Sequence, residues 1–357
     1  MTAEKIKLLG KTPDELKEIA IGAGLPGYTG KQLAQWLYVK RVRSIEEMTN
    51  ISKAGREMLS ERYEVGVRAP LGVAVSTDGT RKYLFPVSCT RSSELCAYEH
   101  AGDLENSAIE AVMIPDDDRR TLCVSSQAGC KMGCRFCMTG RQGFHGNLSA
   151  ADILAQFIAV DECHELTNAV FMGMGEPLDN YDNVIRAIEV LTADWGFGWS
   201  PKRITLSSIG VLPKLERYLN ETRCHLAISV HNPFGDERAS MMPVQNAFPL
   251  QDVIRLIRQY DFSGQRRVSF EYTMFAGFND DKRHADALIR LFSGIECRVN
   301  LIRFHKIPDF PYETSPDMMM ERFRDRLNAH GVTCTIRSSR GEDILAACGM
   351  LAGQHSK

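Results

Sequence analysis

The stretch TLCVSSQAGCKMGCRFC, residues 121–137, decides how the rest of the chain is read. Its first half, TLCVSSQ, is a short strand-like run. Its second half places three cysteines, Cys130, Cys134 and Cys137, within eight residues and stops at three. A structural metal site normally takes four ligands.

Downstream, the strand-like run is the first of seven. AVFMGMGE, RITLSSIG, HLAISVH, VSFEYTMF, RVNLIRF and CTIRSS follow it. Between most of them lie helical patterns such as AADILAQFIAVDECHEL, YDNVIRAIEVLTAD and HADALIRLFSG. This alternation predicts an α/β fold, a parallel sheet with covering helices, and the count fits a complete or partial (β/α) barrel. In such a barrel the chemistry sits in the loops after the strands. The cysteines occupy the first of those loops. Glu176 ends FMGMGE, Ser207 ends ITL, Ser229 and His231 end HLAISVH, and Asn300 lies within RVNLI. These residues are expected to face one mouth.

Upstream, residues 66–120 carry strand patterns. Asp78-Gly79 between two alternating runs is a hairpin signal, and SAIEAVMIP reads as a further strand. Residues 1–65 read as helical, with Thr12 as the N-cap of PDELKEIAIG. Lys40, Arg41 and Arg43 are either a solvated face or an RNA-contacting patch.

With 357 residues the chain can form more than one domain. A net charge of −2 argues against coating nucleic acid by bulk charge and leaves room for a local basic patch. No export signal and no membrane-length apolar run is visible, so a soluble cytoplasmic protein is expected. Eleven cysteines, an odd number, then point to thiol chemistry or metal rather than a disulfide framework.

The cysteine triplet has four readings. It is a zinc site with His145 as fourth ligand, a set of buried thiols, a redox pair, or a 4Fe–4S cluster with one open iron. C-x3-C-x2-C after the first barrel strand, with Phe136 before the last cysteine, resembles the signature of the radical S-adenosylmethionine superfamily. The resemblance implies a partial (β/α)6-type barrel over residues 121–350, preceded by a helical domain (1–65) and a β-rich bridge (66–120) and followed by a tail (351–357). It implies a 4Fe–4S cluster on Cys130, Cys134 and Cys137. The open iron would take the amino and carboxylate groups of S-adenosylmethionine, which one electron splits to a 5′-deoxyadenosyl radical. GMGEP (173–177) resembles the second element, holding the methionyl amino group.

Cys123 in TLCVSSQAGC and Cys348 in GEDILAACG extend the likeness. With FMGMGEPLDN, ITLSSIG, SVH and RVNLI they resemble the RlmN/Cfr family of RNA adenosine methyltransferases. That family implies a sequence of events on sulfur. One S-adenosylmethionine methylates Cys348, and a second yields the radical that abstracts hydrogen from that methyl group. The carbon radical adds to adenine, and attack by Cys123 releases the product as a transient Cys123–Cys348 disulfide forms. Glu110 matches the position of the base that takes the ring proton, with Cys123 as its rival. Gly175, Glu176, Ser207, Ser229, His231 and Asn300 are the implied contacts to S-adenosylmethionine, with Ser208 open in place of Ser207. The implied partners are 23S ribosomal RNA, tRNA in the RlmN branch, and a flavodoxin-type electron donor. Methylation at C2 is the expectation and Cfr-type C8 methylation the alternative; a zinc-stabilised RNA-binding protein is a third. Lys131, Arg135, Arg141, Lys202 and Arg203 are expected near the mouth, where they would hold phosphates. Arg303 and His305 depart from the family pattern. Cys89, Cys96, Cys163, Cys224, Cys297 and Cys334 are read as core or incidental thiols.

Overall fold

The computed structural model describes residues 5–87, 108–264 and 266–352. Cys89 and Cys96 lie outside the described residues. Strand β1 (Ile6–Lys7) pairs in parallel with β2 (Tyr63–Glu64), tying together the two ends of the helical N-terminal part. Helix α1 (Pro13–Gly22) starts where expected. Thr12 Oγ accepts the Glu15 N–H at 3.3 Å, and the Glu15 carboxylate accepts the Thr12 N–H at 2.7 Å. This reciprocal cap satisfies two otherwise orphaned donors. Helices α2 (Thr29–Ala34) and α3 (Lys53–Arg62) complete this part.

Next come β3 (Gly72–Val75), β4 (Arg81–Pro86), β5 (Ala108–Asp116) and β6 (Arg119–Cys123), an antiparallel meander. The Asp78-Gly79 pair sits in the β3–β4 turn, where the Asp78 carboxylate accepts the Thr80 N–H at 2.9 Å. A small hairpin of β7 (Gln127–Gly129) and β8 (Phe144–Asn147) brackets the three cysteines and the short helix α4 (Met138–Arg141). Helix α5 (Ala150–Ala159) follows it. Six strands then join β6 in parallel: β9 (Asn168–Phe171), β10 (Ile204–Ser208), β11 (His225–Ser229), β12 (Val268–Met274), β13 (Cys297–Arg303) and β14 (Thr333–Ile336).

Helices α6 (Tyr181–Thr192), α7 (Leu212–Glu221), α8 (Gly235–Met241), α9 (Leu250–Ile257), α10 (Lys282–Phe292) and α11 (Asp317–Ala329) lie between the strands. Each of the seven runs read as strands is one. Because β5 occupies the other edge of β6, β14 cannot close onto it. The barrel stays partial, with β3 and β14 at the edges of a ten-stranded sheet. The strands are covered on both faces, so β11 buries the consecutive Leu226, Ala227 and Ile228. The helices bury one stripe, as Leu250, Val253, Ile254 and Ile257 do on α9. No helix among the described residues is long and apolar enough to cross a membrane.

The basic run after α2 is a dock. The Arg43 guanidinium donates to the carbonyls of Ile158 at 3.2 Å and Ala159 at 3.3 Å. Arg41 donates to the Cys163 carbonyl and covers the Phe197 ring at 4.4 Å. The last carbonyls of a helix lack intrahelical partners and favour cations. Arg43 therefore answers the end of α5 and Arg41 the turn that follows it, while Lys40 lies over the Trp36 ring at 3.7 Å. The double substitution Arg41→Ala, Arg43→Ala is expected to cost about 2–3 kcal/mol. Urea unfolding will measure that cost, and limited proteolysis should cut residues 5–65 free first.

Candidate active site

A cavity of about 940 Å³, its open mouth included, lies at the C-terminal ends of the parallel strands. Cys130, Cys134 and Cys137 line it from the loop after β6. Gly175 and Glu176 line it after β9, Ser207 and Ser208 from the end of β10, and Ser229 and His231 from the end of β11. Cys348 reaches it from the far end of the chain. The topology thus brings together residues that the sequence spreads over more than two hundred positions.

The cysteine loop is pinned at several points. Cys130 N–H donates to the Gly143 carbonyl at 2.7 Å, and Arg135 N–H to that of Met241 at 2.9 Å. Phe136 packs edge-on to His231 at 4.9 Å and to Phe275 at 5.5 Å. Burial pushes the Cys130 thiol up to about 12 and the Cys134 thiol well above its ordinary range, with the neighbouring cysteines adding to both. Burial also raises Cys137. Three crowded thiols opposed in ionising are relieved by a cationic iron–sulfur centre, and the all-sulfur donor set suits one. No three His, Cys, Asp or Glu side chains among the described residues are arranged to hold a metal ion as they stand. A cluster takes each thiolate on a separate iron, so its ligands need to face one space rather than one point. The zinc reading fails on its fourth ligand: His145 is exposed on β8 and is not on the cavity wall.

The GMGEP segment is held by the strand beside it. Met174 O accepts the N–H groups of Ser126 at 2.8 Å and Gln127 at 3.1 Å. Gly175 has φ +98°, and a Cβ there would stand 2.5 Å from that of Gln127, so only glycine fits. Glu176 is buried, and its carboxylate accepts N–H groups from Leu178 and Ile209, each at 3.0 Å. Burial nevertheless raises it to about 7. A ligand ammonium would favour its charged form. Ser208 Oγ already accepts the Gly210 N–H at 2.9 Å, whereas Ser207 is half-buried with no side-chain bond of that kind, which favours Ser207 as the free contact. His231 Nδ1 accepts the Thr273 N–H at 3.0 Å, leaving Nε2–H as a donor. Burial, and next Arg238, holds this ring down to about 3, so it stays neutral.

Asn300 is not on the wall. Its Nδ2 donates to Glu271 Oε1 at 2.8 Å, and its Oδ1 accepts from Thr335 at 3.1 Å. It lies on β13 two residues before Ile302 and braces Glu271, and both of those residues line the cavity. Strand depth decides this, and alternation alone cannot report depth.

Residues 340–352 form a strap. Met138 N–H donates to the Gly349 carbonyl at 2.8 Å, and Thr139 Oγ to that of Leu351 at 2.7 Å, so the strap is fastened to α4 beside the cysteines. At its other end Ser76 Oγ donates to Asp343 at 2.5 Å and Gly341 N–H to Asp78 at 3.0 Å. The β3–β4 hairpin thus anchors the segment that carries Cys348. Cys123 ends β6 with a thiol pushed up to about 12, first by burial and then by the charge of Cys348. Both are free thiols. Glu110 on β5 is 2% exposed. It pairs with Lys82 at 3.0 Å and accepts the Ala352 N–H at 2.7 Å, which ties it to the strap.

Three wall or support residues carried no motif in the sequence. Glu271 and Arg337 line the cavity, and Arg238 lies fully buried beneath it. The basic residues split. Arg135 is exposed in the cysteine loop, Lys131 pairs with Asp179 at 2.9 Å, and Arg141 pairs with Asp309 at 3.5 Å. Lys202 and Arg203 precede β10 and therefore sit at the opposite end of the sheet, about 17 Å of strand away from the mouth. The departure at Arg303 and His305 leaves the wall intact. Arg303 pairs with Asp317 and His305 meets Ser339 at 3.2 Å, while Ile302 and Phe304 face the cavity.

Comparison with known proteins accounts for this assembly. Residues 124–288 match the radical SAM superfamily, and residues 6–65 match the ribosomal RNA large subunit methyltransferase N-terminal domain. A Porphyromonas gingivalis protein named "Probable dual-specificity RNA methyltransferase RlmN" is 56% identical over 98% of this chain and 95% of its own. The "Dual-specificity RNA methyltransferase RlmN" of Syntrophus aciditrophicus is 38% identical over 99% of this chain and 98% of its own. A crystal structure of a radical SAM methyltransferase from Sphaerobacter thermophilus superposes with a TM-score of 0.89 at 35% identity, covering 98% of this chain and 100% of that one. These likenesses do not favour the Cfr alternative, and they replace the zinc-binding reading with an enzyme. The chain belongs to the RlmN family of radical S-adenosylmethionine RNA methyltransferases.

Proposed function

We propose that the enzyme methylates C2 of one adenine in 23S ribosomal RNA at the peptidyl transferase centre, and of an anticodon-adjacent adenine in tRNA. It works in the cytoplasm with a flavodoxin-type electron donor and uses two S-adenosylmethionines per turnover. The observation that carries this reading is the strap: Cys348 stands on the cavity wall, in a segment fastened to the cysteine-loop helix. Full-length similarity to proteins named dual-specificity RNA methyltransferases supports two RNA substrates and C2 chemistry.

Cys130, Cys134 and Cys137 would hold the cluster, and Gly175, Glu176, Ser207, Ser229 and His231 the S-adenosylmethionine, with Asn300 acting through Glu271. Bound there, the two supply a methyl group for sulfur and a one-electron hydrogen abstraction. Cys348 carries the carbon, and its strap brings it over the ring. Cys123 then cuts the carbon–sulfur bond. Glu110, tethered to the strap, takes the ring proton. The adenine must leave its stack to enter.

Anaerobically prepared enzyme acting on unmodified 23S RNA is expected to yield 2-methyladenosine by nucleoside mass spectrometry. 8-Methyladenosine, or no methyladenosine, overturns the proposal. Glu110→Gln is expected to keep S-methylation of Cys348 but lose RNA product by about 10²-fold or more. Retained product would move the proton to Cys123.

A further inference from the structure

The inference here rests on the two-thiol reading above. That chemistry puts negative charge on sulfur twice. Cys348 attacks the sulfonium methyl: its S–C bond forms as the sulfonium C–S bond breaks, and its proton leaves to solvent. Later the Cys123 thiolate attacks Cys348 Sγ: the S–S bond forms, the S–CH₂ bond breaks, and that electron pair passes to the departing carbon. Burial opposes the second of these, at Cys123.

Among the described residues one Lys or Arg lies on the cavity wall, Arg337. Its N–H donates to the Leu301 carbonyl at 2.9 Å, just past β14. Its Nη1 stands 3.5 Å from Glu271 Oε2 and 3.6 Å from Met172 Sδ. Met172 directly follows β9, whose Val170 pairs with Cys123 on β6. Cys348 shares the wall. The guanidinium therefore lies among the strap thiol, the strand thiol and Glu271. We infer that Arg337 is a positioning residue that serves both thiols in turn as their counter-cation, with Glu271 as its resting partner.

The electrostatics agree. Arg337 is held more firmly protonated, first by Cys348 and also by Glu271 and Cys123. A planar fork of five N–H donors can serve several acceptors, where a lysine ammonium is a point charge.

The test is thiol reactivity in the cluster-loaded enzyme before any substrate is added. Iodoacetamide labelling at about pH 7.5, mapped by peptide mass spectrometry, is expected to slow roughly 10-fold or more at Cys348 in Arg337→Met, and to stay within about 3-fold in Arg337→Lys. Glu271→Gln, which frees the guanidinium, should leave the rate unchanged or raise it. Wild-type labelling in Arg337→Met overturns the inference. So does a Glu271→Gln rate that falls as far as that of Arg337→Met, because Arg337 would then only brace Glu271. Iron content equal to wild type shows that each variant is folded; if Arg337→Met does not load, Arg337→Gln carries the same comparison. Product formation by Cys348→Ala would instead sink the two-thiol reading, whatever Arg337 does.

Discussion

Cys123→Ala is expected to leave the RNA joined to the protein through Cys348. Removing this thiol spares every residue that lines the cavity, so methylation of Cys348 and radical addition to the ring should continue. The adduct then has no sulfur to cut it loose. Turnover should fall by roughly 10³-fold or more, with about one RNA per chain migrating with the protein. Denaturing electrophoresis with labelled RNA reads this directly. Cys348→Ala should give neither adduct nor product, since the carrier itself is gone. The pair of results separates a carrier from a cutter. Free RNA product from Cys123→Ala would show that some other group breaks the bond.

Arg238→Ala carries the largest expected cost in stability. This side chain is 0% exposed, on α8 in the connection between β11 and α9. Its guanidinium donates to the carbonyls of Val230 and Ser229, each at 3.0 Å, and to Gln245 Oε1 at 2.6 Å. The Gln245 oxygen also accepts the Leu250 N–H at 3.1 Å, which starts α9. Truncation leaves these acceptors without a donor in a dry interior, at about 1–3 kcal/mol each. A loss of about 3–5 kcal/mol is expected, read as a lower urea midpoint. Because Ser229 and His231 lie at the start of the same connection, S-adenosylmethionine affinity should fall as well, measurable by calorimetry. Arg238→Lys should recover part of the stability, since one ammonium cannot reach all three acceptors. A variant as stable as the parent would show that water replaces the guanidinium.

The parallel strands, their covering helices and the cysteine loop were legible because each leaves a local imprint. Apolar periodicity marks a strand or a helix, and three cysteines in eight residues need no distant partner to be noticed. Gly175 and Glu176 were legible through a five-residue motif. Arg238, Glu271 and Arg337 were not, because a single charged residue in a helix or strand resembles a surface one until its burial is known. Lys202 was misplaced for a related reason. Pattern gives the face of a strand and its order in the chain, but depth along the barrel and the end at which a loop emerges belong to the assembled sheet. The arginines after α2 were ambiguous in the same way: their partners are carbonyls at the end of α5 and in the turn after it, more than a hundred residues away.

By itself the sequence determined the α/β barrel, the triplet of cysteines and the family whose chemistry needs two further thiols. Periodicity and motif spacing are properties of neighbouring residues, and they survive in one dimension. Only the tertiary structure decided that Cys348 shares one cavity wall with the cysteine triplet and Arg337, and that a strap pinned by Asp78 and α4 brings it there. Those relations depend on where strands end and which chain segments cross, and burial and charge act through space rather than along the chain.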